Sequence, residues 1–334
     1  MAKFKEIRES IAEHAGQSDT GPFKTITSKM VNDVYRQVLD SGKVAHEHRE
    51  FAFTPAVSKS QYGLPLYVRK VVNIEDPDNS SFIFQTTARA FDRTYPGGTE
   101  SGDPRIAYSL GMRGVEKYPA SDGTLSVVSD STADDGANYK IRIVGFNTSG
   151  VLVTEQVTMD GTTAVNTTNS YDSTLGIERV TKAPASGLSF TGNVTVKDDD
   201  SNTIAIIPIW WDSPDYEWIE FYPGVGTSAN TYTIRAEMRK PPLVNDDDWP
   251  EFDQEYHNLL VFGVTKDLLP SLGQRATAFD HGRTFKDLLK QFMGLTNSIP
   301  GPNFQSFSNV QAAGVSGGSP GRALLRGVDV GLVD

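Results

Sequence analysis

Asp246-Asp247-Asp248-Trp249-Pro250-Glu251-Phe252 marks the start of the clearest helical pattern in the chain. Asp248 and Glu251 have the three-residue spacing of a capping box, in which each side chain accepts a hydrogen bond from a free backbone N–H. Pro250 falls in the first turn, where its missing N–H costs nothing. We therefore predict that a helix starts at this point.

Apolar residues then recur at helical spacing from Phe252 to Val264, and Leu269-Pro270 with Gly273 predicts the end of this first helix. A second run with the same spacing extends from Thr277 to Gly294. Together they predict two amphipathic helices joined by a short loop, each with one face that must be buried.

Composition limits the classes to which the protein can belong. The chain has 334 residues, of which 38% are hydrophobic and 22% charged, as expected for a globular protein with a large core and room for two domains. Its start lacks the apolar core of a signal peptide, and no run approaches the roughly 20 apolar residues of a membrane span. From the lack of a membrane span we expect no membrane partner. With no cysteine, there is no disulfide framework or thiol nucleophile, which fits a cytoplasmic origin.

The formal net charge of -11 bears on nucleic-acid binding. Proteins that hold DNA by its phosphates use Lys and Arg to displace counterions, so a strongly acidic chain is a poor candidate for tight binding. The charge remains compatible with a surface that lets DNA slide past.

The remaining patterns predict an α+β fold with a helical core. The core combines N-terminal helices with the C-terminal αα-hairpin and a small β-sheet, over residues 1–119 and 203–295. Residues 120–202 are rich in Thr, Ser, Asp, Gly and Val with short alternating runs, which predicts an inserted immunoglobulin-like β-sandwich. Val115 to Pro119 is expected to be the hairpin partner of the strand Ile106 to Leu110. Residues 296–334 are expected to be a flexible tail.

The tail contains scattered apolar and basic residues that could bind a partner or a neighbouring subunit. An unstructured end and a strap that orders on binding are both open interpretations of this composition. The candidate docking residues are Phe304, Phe307, Arg322, Leu324, Leu325, Arg326 and Val328.

No catalytic, cofactor or metal site emerges from the sequence. The nucleophile string Gly314-Val315-Ser316-Gly317-Gly318 lies in a Gly-Ser tail, without the strand and helix that the motif requires. His46-Glu47-His48 has no third metal ligand nearby, so a solvated turn is favoured. Asp198-Asp199-Asp200 and Asp246-Asp247-Asp248 lack the spacing of a calcium loop, so a turn and a helix start are favoured.

A set of short structural motifs, none with a catalytic residue, occurs in a definite order along the chain. They are Tyr62-Gly63-Leu64-Pro65, Phe91-Asp92 with Tyr95-Pro96, Gly102-Asp103-Pro104, Val115 to Pro119, Ile219 to Pro223, Tyr232 to Met238, Pro241-Pro242-Leu243, and Trp249-Pro250 followed by Tyr256-His257-Asn258-Leu259-Leu260. In this order they resemble the head-to-tail adaptor (connector) proteins of tailed bacteriophages. The segment 122–196 resembles immunoglobulin-like modules inserted in phage structural proteins.

The resemblance implies a structural protein without enzymatic activity or cofactor. In the family, such proteins form a ring, dodecameric, that docks on the portal protein and joins the capsid to neck or tail proteins. Viral DNA would pass through the ring without specific binding. The expected location is the head–tail interface of the virion, after assembly in the host cytoplasm.

Two other interpretations stay open. The chain could be another virion component, such as a decoration or tail protein, with a helical hairpin buried in one subunit and no ring. It could also be a tail-associated hydrolase acting on a polymer, because carboxylate pairs have no fixed sequence spacing.

Overall fold

A computed structural model describes residues 2–41, 47–56, 60–76, 81–94, 100–226 and 230–298. The chain divides into a compact unit, Met1–Lys286, and a second unit, Asp287–Asp334, of which the structure describes the helical residues 287–298. The α-helices are α1 (Phe4–Ala15), α2 (Gly21–Asp40), α3 (Ala88–Thr94), α4 (Asn258–Leu268) and α5 (Arg275–Ser298).

Strands are more numerous than helices in the described part of the chain. In chain order they are β1 (Glu47–Phe53), β2 (Gln61–Gly63), β3 (Val68–Asp76), β4 (Ser81–Phe82), β5 (Phe84–Thr87), β6 (Ser101–Gly102), β7 (Ile106–Arg113), β8 (Ser126–Ser129), β9 (Asp135–Phe146), β10 (Leu152–Asp160), β11 (Val165–Asn166), β12 (Ile177–Lys182), β13 (Val194–Lys197), β14 (Thr203–Ile207), β15 (Tyr216–Tyr222), β16 (Gly224–Val225) and β17 (Tyr232–Met238).

The predicted helical core is wrong, because the fold is mostly β. Four sheets of three or four strands form the main structure, and the helices supplement them. The dominance of sheets cannot be predicted from local patterns, because the sheets are assembled by pairing between distant segments. For example, β1 pairs along its full length with β17, which lies far away in the chain. In addition, six of the seven residues of β15 are buried, so this strand lacks the alternation that identifies a strand with one exposed face.

Two four-stranded sheets form what we call the framework. Their strand orders are β1-β17-β3-β4 and β2-β15-β7-β5, with β5 parallel to β7 and the other pairs antiparallel. Their apolar faces share one cluster of buried side chains, including Ile74, Ile219, Phe221 and Ile234. This shared core fixes the two sheets against each other.

Strands β8 to β14 form a β-sandwich, hereafter the sandwich, with strand orders β10-β9-β12 and β11-β8-β13-β14. The immunoglobulin-like expectation is wrong in topology. In that fold the second strand pairs with the first and fifth, whereas here the second strand, β9, pairs with the third and fifth. The cause is the turn after β9, where Asn147 Oδ1 accepts hydrogen bonds from Ser149 N and Val151 N and Gly150 takes a φ of 72°. This tight turn keeps β9 and β10 in the same sheet.

The sandwich and the framework share buried side chains. Trp218 of β15 belongs to the hydrophobic cluster of the sandwich, and its Nε1 donates a 2.6 Å hydrogen bond to Val115 O. Val115 to Pro119 is not the predicted hairpin strand, since β7 pairs instead with β5 and β15. These residues form the connection into the sandwich, and the N–H of Glu116 donates to Ile204 O at 2.8 Å.

Helices α1, α2, α4 and residues 275–286 of α5 form a small bundle that we call the helical layer. α4 packs against both α1 and α2. Gly263 of α4 allows this close approach, because a Cβ there would lie 2.5 Å from Val34 Cγ1 and 3.0 Å from Phe285 Cε2. The layer thus joins two helices from near the start of the chain to α4 and the first half of α5.

The predicted start of α4 is also wrong, since the helix begins at Asn258 after a short 3₁₀ turn, Gln254–Tyr256. Asp248 does not cap a following helix. Its Oδ2 instead accepts hydrogen bonds at 2.7 Å from Val244 N and Asn245 N, which precede it. The acidic segment therefore forms a turn, held to α1 by a 2.7 Å hydrogen bond from Phe4 N to Asp248 O.

Candidate docking surface

The docking residues predicted from the sequence, Phe304, Phe307, Arg322, Leu324, Leu325, Arg326 and Val328, lie outside the described residues. So do His46 and the Gly314 to Gly318 string. Among the described residues, the helical layer has an open groove that is a candidate docking surface.

The groove lies between the C-terminal half of α2, the end of α4 and the first half of α5, and its volume is about 670 Å³. It contains apolar and cationic surface side by side. Its lining residues are Gln37, Lys266, Asp267, Pro270, Arg275, Ala278, Phe279, Gly282, Arg283, Phe285 and Lys286.

Phe279 is the main apolar feature of the groove. Ala278 and Phe285 belong to the buried face of α5, whereas Phe279 lies one position off that face and is 67% exposed. The guanidinium of Arg283, one turn later, lies 5.3 Å from the centre of the Phe279 ring. This cation–π contact keeps the cation and the aromatic ring next to each other on the surface.

Positive charge dominates the groove although the whole chain is acidic. Lys266, Arg275, Arg283 and Lys286 line it, and Asp267 is the single carboxylate among the lining residues. Lys266 is paired with Asp267. The other three cations take part in none of the ion pairs found among the described residues. The groove thus suits a surface that combines acidic and apolar groups.

The floor of the groove is firmly packed. Lys266 Nζ lies 5.4 Å from the centre of the buried Phe285 ring, and Phe285 packs next to Gly263. Beside it, a 2.8 Å hydrogen bond joins His281 Nδ1 and Thr265 Oγ1, and the His281 ring meets the His14 ring of α1 at 4.9 Å. Burial, followed by the charge of His14, lowers the pKa of His281. These contacts tie α5 to α4 and α1, so the floor of the groove is formed by side chains packed within one chain.

A second opening lies between the two framework sheets, with a volume of about 650 Å³. Glu217 and Glu237 both line this cleft. Burial raises the pKa of Glu217, whose Oε1 lies 2.5 Å from Ser109 Oγ. Glu237 is held by Arg69 at 3.6 Å, within one sheet. The cleft could therefore offer one carboxyl group that is easily protonated and one that is ion-paired.

Within the described ranges, no group of three or more His, Asp or Glu side chains is arranged to hold a metal ion. None of the helices in the same ranges combines the length and apolar composition needed to cross a bilayer. Asp198 and Asp248 instead accept hydrogen bonds from backbone N–H groups four residues away, Asn202 and Val244, as residues in turns do, and Asp198 also accepts one from the N–H of the distant Ala120.

Comparisons with known proteins give little guidance. No protein-family model matches the chain. No curated protein matches it either. Among solved structures, the VP2 subviral particle of infectious bursal disease virus aligns with a TM-score of 0.12 and 11% identity, over 75% of this chain and 55% of that chain. The chain thus spans about half the length of that protein, and a likeness this weak carries no argument about fold or function.

Proposed function

We propose that this chain is a structural virion protein of the head-to-tail adaptor type. It forms a ring with copies of itself below the portal and joins the capsid to neck or tail proteins. The observation that carries the proposal is the groove. Its exposed Phe279, together with Arg275, Arg283 and Lys286, which form no ion pair among the described residues, is a surface suited to binding a protein partner. Exposed aromatic and arginine side chains are typical of the residues that dominate binding energy at interfaces.

The motifs behind the resemblance to adaptors have structural roles that agree with this proposal. Pro241-Pro242-Leu243 leads from β17 along α2, where Asn32 fixes it. The Asn32 side chain donates to Leu243 O at 2.9 Å and accepts from Leu243 N at 2.7 Å. This segment therefore couples the β framework to the helical layer, as a protein that transmits contacts between neighbours requires.

Native mass measured alone and with the portal protein of the same virus tests the proposal. We expect a ring, either spontaneously or only after the portal is added, because docking on a symmetric partner raises the local concentration of subunits. An unrelated portal is the control. A chain that stays monomeric and does not bind the matching portal contradicts the proposal.

A polymer hydrolase is the second candidate, and the cleft that contains Glu217 is the observation that favours it. A raised pKa on one carboxyl group beside an ionised one is the pattern that glycosidases use. We rank it lower, because Arg69 engages the carboxylate of Glu237 and Ser109 engages Glu217. Release of reducing sugar from capsular or cell-wall polysaccharide by the wild-type chain, but not by Glu217→Gln, would reverse this order.

A further inference from the structure

We propose that the groove receives the acidic, tryptophan-bearing loop 244–255 of a second copy of this chain. The inference deepens the proposed function, on which it rests for the closure of the ring. The match between the two surfaces is independent of that function, since it follows from their opposite charge and their exposed aromatic side chains.

The loop presents one large exposed aromatic side chain on a fixed backbone. Trp249 is 53% exposed, whereas Pro250 beside it is buried. The hydrogen bonds that Asp248 accepts and the one from Phe4 N to Asp248 O hold the turn on both sides. Because the backbone of the turn is held in this way, its ordering costs little entropy on binding, which favours Trp249 as an anchor.

The charge of the loop is opposite to that of the groove. Part of the charge is neutralised within the chain, since Asp246 pairs with Arg8 and Lys24, Asp247 with Lys3, and Glu251 with Lys240.

Asp253 and Glu255 are exposed, and neither takes part in the ion pairs found in the described part of the chain. Trp249 with these two carboxylates thus complements Phe279 with Arg275, Arg283 and Lys286. Such complementarity steers association and fixes its orientation.

The two surfaces lie on opposite sides of α2. Gln37 lines the groove, whereas Tyr35 contacts the loop through its hydroxyl, which accepts a 3.2 Å hydrogen bond from Glu251 N. Residues two apart on a helix point about 200° apart, so the two side chains leave α2 in opposite directions. A single chain cannot bring its own loop into its own groove. Neighbours can, through a head-to-tail contact that closes into a ring if the rotation allows.

Reversal of charge on each surface tests the inference in the full-length chain. The variants are Arg283→Glu in the groove, Glu255→Lys in the loop, and the double variant. Sedimentation is measured over a concentration series, alone and with the matching portal protein. Arg93→Glu, which reverses an exposed cation on α3, is the control for nonspecific charge effects.

We expect each single variant to weaken self-association by about tenfold or more, and the double variant to restore it. A mixture of the two single variants is the sharpest measurement. In the mixture, the loop of the Arg283→Glu chain meets the native groove of the Glu255→Lys chain, and the reversed loop of the Glu255→Lys chain meets the reversed groove of the Arg283→Glu chain, as in the double variant. The mixture should therefore regain the assembly that each single variant loses, with the two chains alternating. Arg93→Glu should assemble like the wild type.

Several results would overturn the inference. They are single variants that assemble like the wild type, a double variant that stays defective, and a wild-type chain that remains monomeric under both conditions. Binding of a single-stranded oligonucleotide that Arg283→Glu abolishes, with assembly unchanged, would assign the groove to nucleic acid. A ring that forms on the portal regardless of these variants leaves the proposed function intact and removes this interface. If the variants show the expected pattern of self-association but the wild-type chain does not bind the portal, this interface is supported and the proposed function is contradicted.

Discussion

Lys182 provides a quantitative test of how the sandwich is held together. Its side chain is buried, and Nζ donates hydrogen bonds to Gly192 O at 3.1 Å and to Pro208 O at 2.7 Å. Nζ also lies 5.3 Å from the centre of the Phe190 ring. Burial lowers the pKa of Lys182 from 10.5 to about 7, because the apolar surroundings disfavour the ammonium form more than the nearby carboxylate of Asp134 favours it.

This lowered pKa makes stability depend on pH in a defined direction. Between pH 7 and 10.5 the unfolded chain keeps the proton of Lys182 while the folded chain releases it, so the free energy of unfolding rises with pH. From pH 7 to pH 9 the folded lysine changes from half charged to almost neutral. At about 1.36 kcal/mol per pH unit for one full proton, the free energy of unfolding should increase by about 2 kcal/mol.

Urea denaturation at pH 7, 8 and 9 measures this change, with tryptophan emission as the signal because Trp211 and Trp218 belong to the same hydrophobic cluster. The variant Lys182→Met should lose the increase of about 2 kcal/mol relative to the wild type, whatever its absolute stability. Lys140→Met, at a half-exposed position on the neighbouring strand β9, is the control and should keep the increase. An equal rise in Lys182→Met and the wild type would refute the reasoning.

Three further substitutions test other parts of the structure. Asn32→Ala should lower the free energy of unfolding by about 2–4 kcal/mol in urea denaturation, because the N–H and C=O of Leu243 lose their hydrogen-bond partner. A loss below about 0.5 kcal/mol would show that Asn32 does not hold this segment in place. Gly263→Ala should cost about 1–3 kcal/mol by the same measurement, since the new Cβ would overlap Val34, and an unchanged midpoint would show that the helices can separate freely. Glu217→Gln should raise the melting temperature more at pH 8 than at pH 5, because the raised pKa of Glu217 means that its ionised form opposes folding. A lower melting temperature of the variant at pH 8 would show that the ionised carboxylate stabilises the fold.

The sequence by itself predicted local elements well where the signal is local. Gly273, predicted to end the first helix of the hairpin, is an αL glycine that ends the 3₁₀ turn following α4, and the motif Tyr232 to Met238 forms the whole of β17. The helical hairpin and most short strands of the sandwich were predicted for the same reason, since periodicity and turn residues act within a few positions. The bounds that failed, such as the start of α4, are those where a side chain has competing local partners. Asp248 bonds to residues before it instead of capping those after it.

Only the tertiary structure decided that sheets, not helices, dominate the fold, and where the groove lies. Pairings such as β1 with β17 depend on contacts between distant residues, so no local pattern shows that sheets dominate over helices. The groove could not be found for the same reason, because Phe279 becomes a surface feature only once Ala278 and Phe285 are buried against neighbouring helices. Local chemistry determines whether a segment forms a helix, a strand or a turn. Which of its faces are buried depends on segments that are distant in the sequence and that the fold brings together.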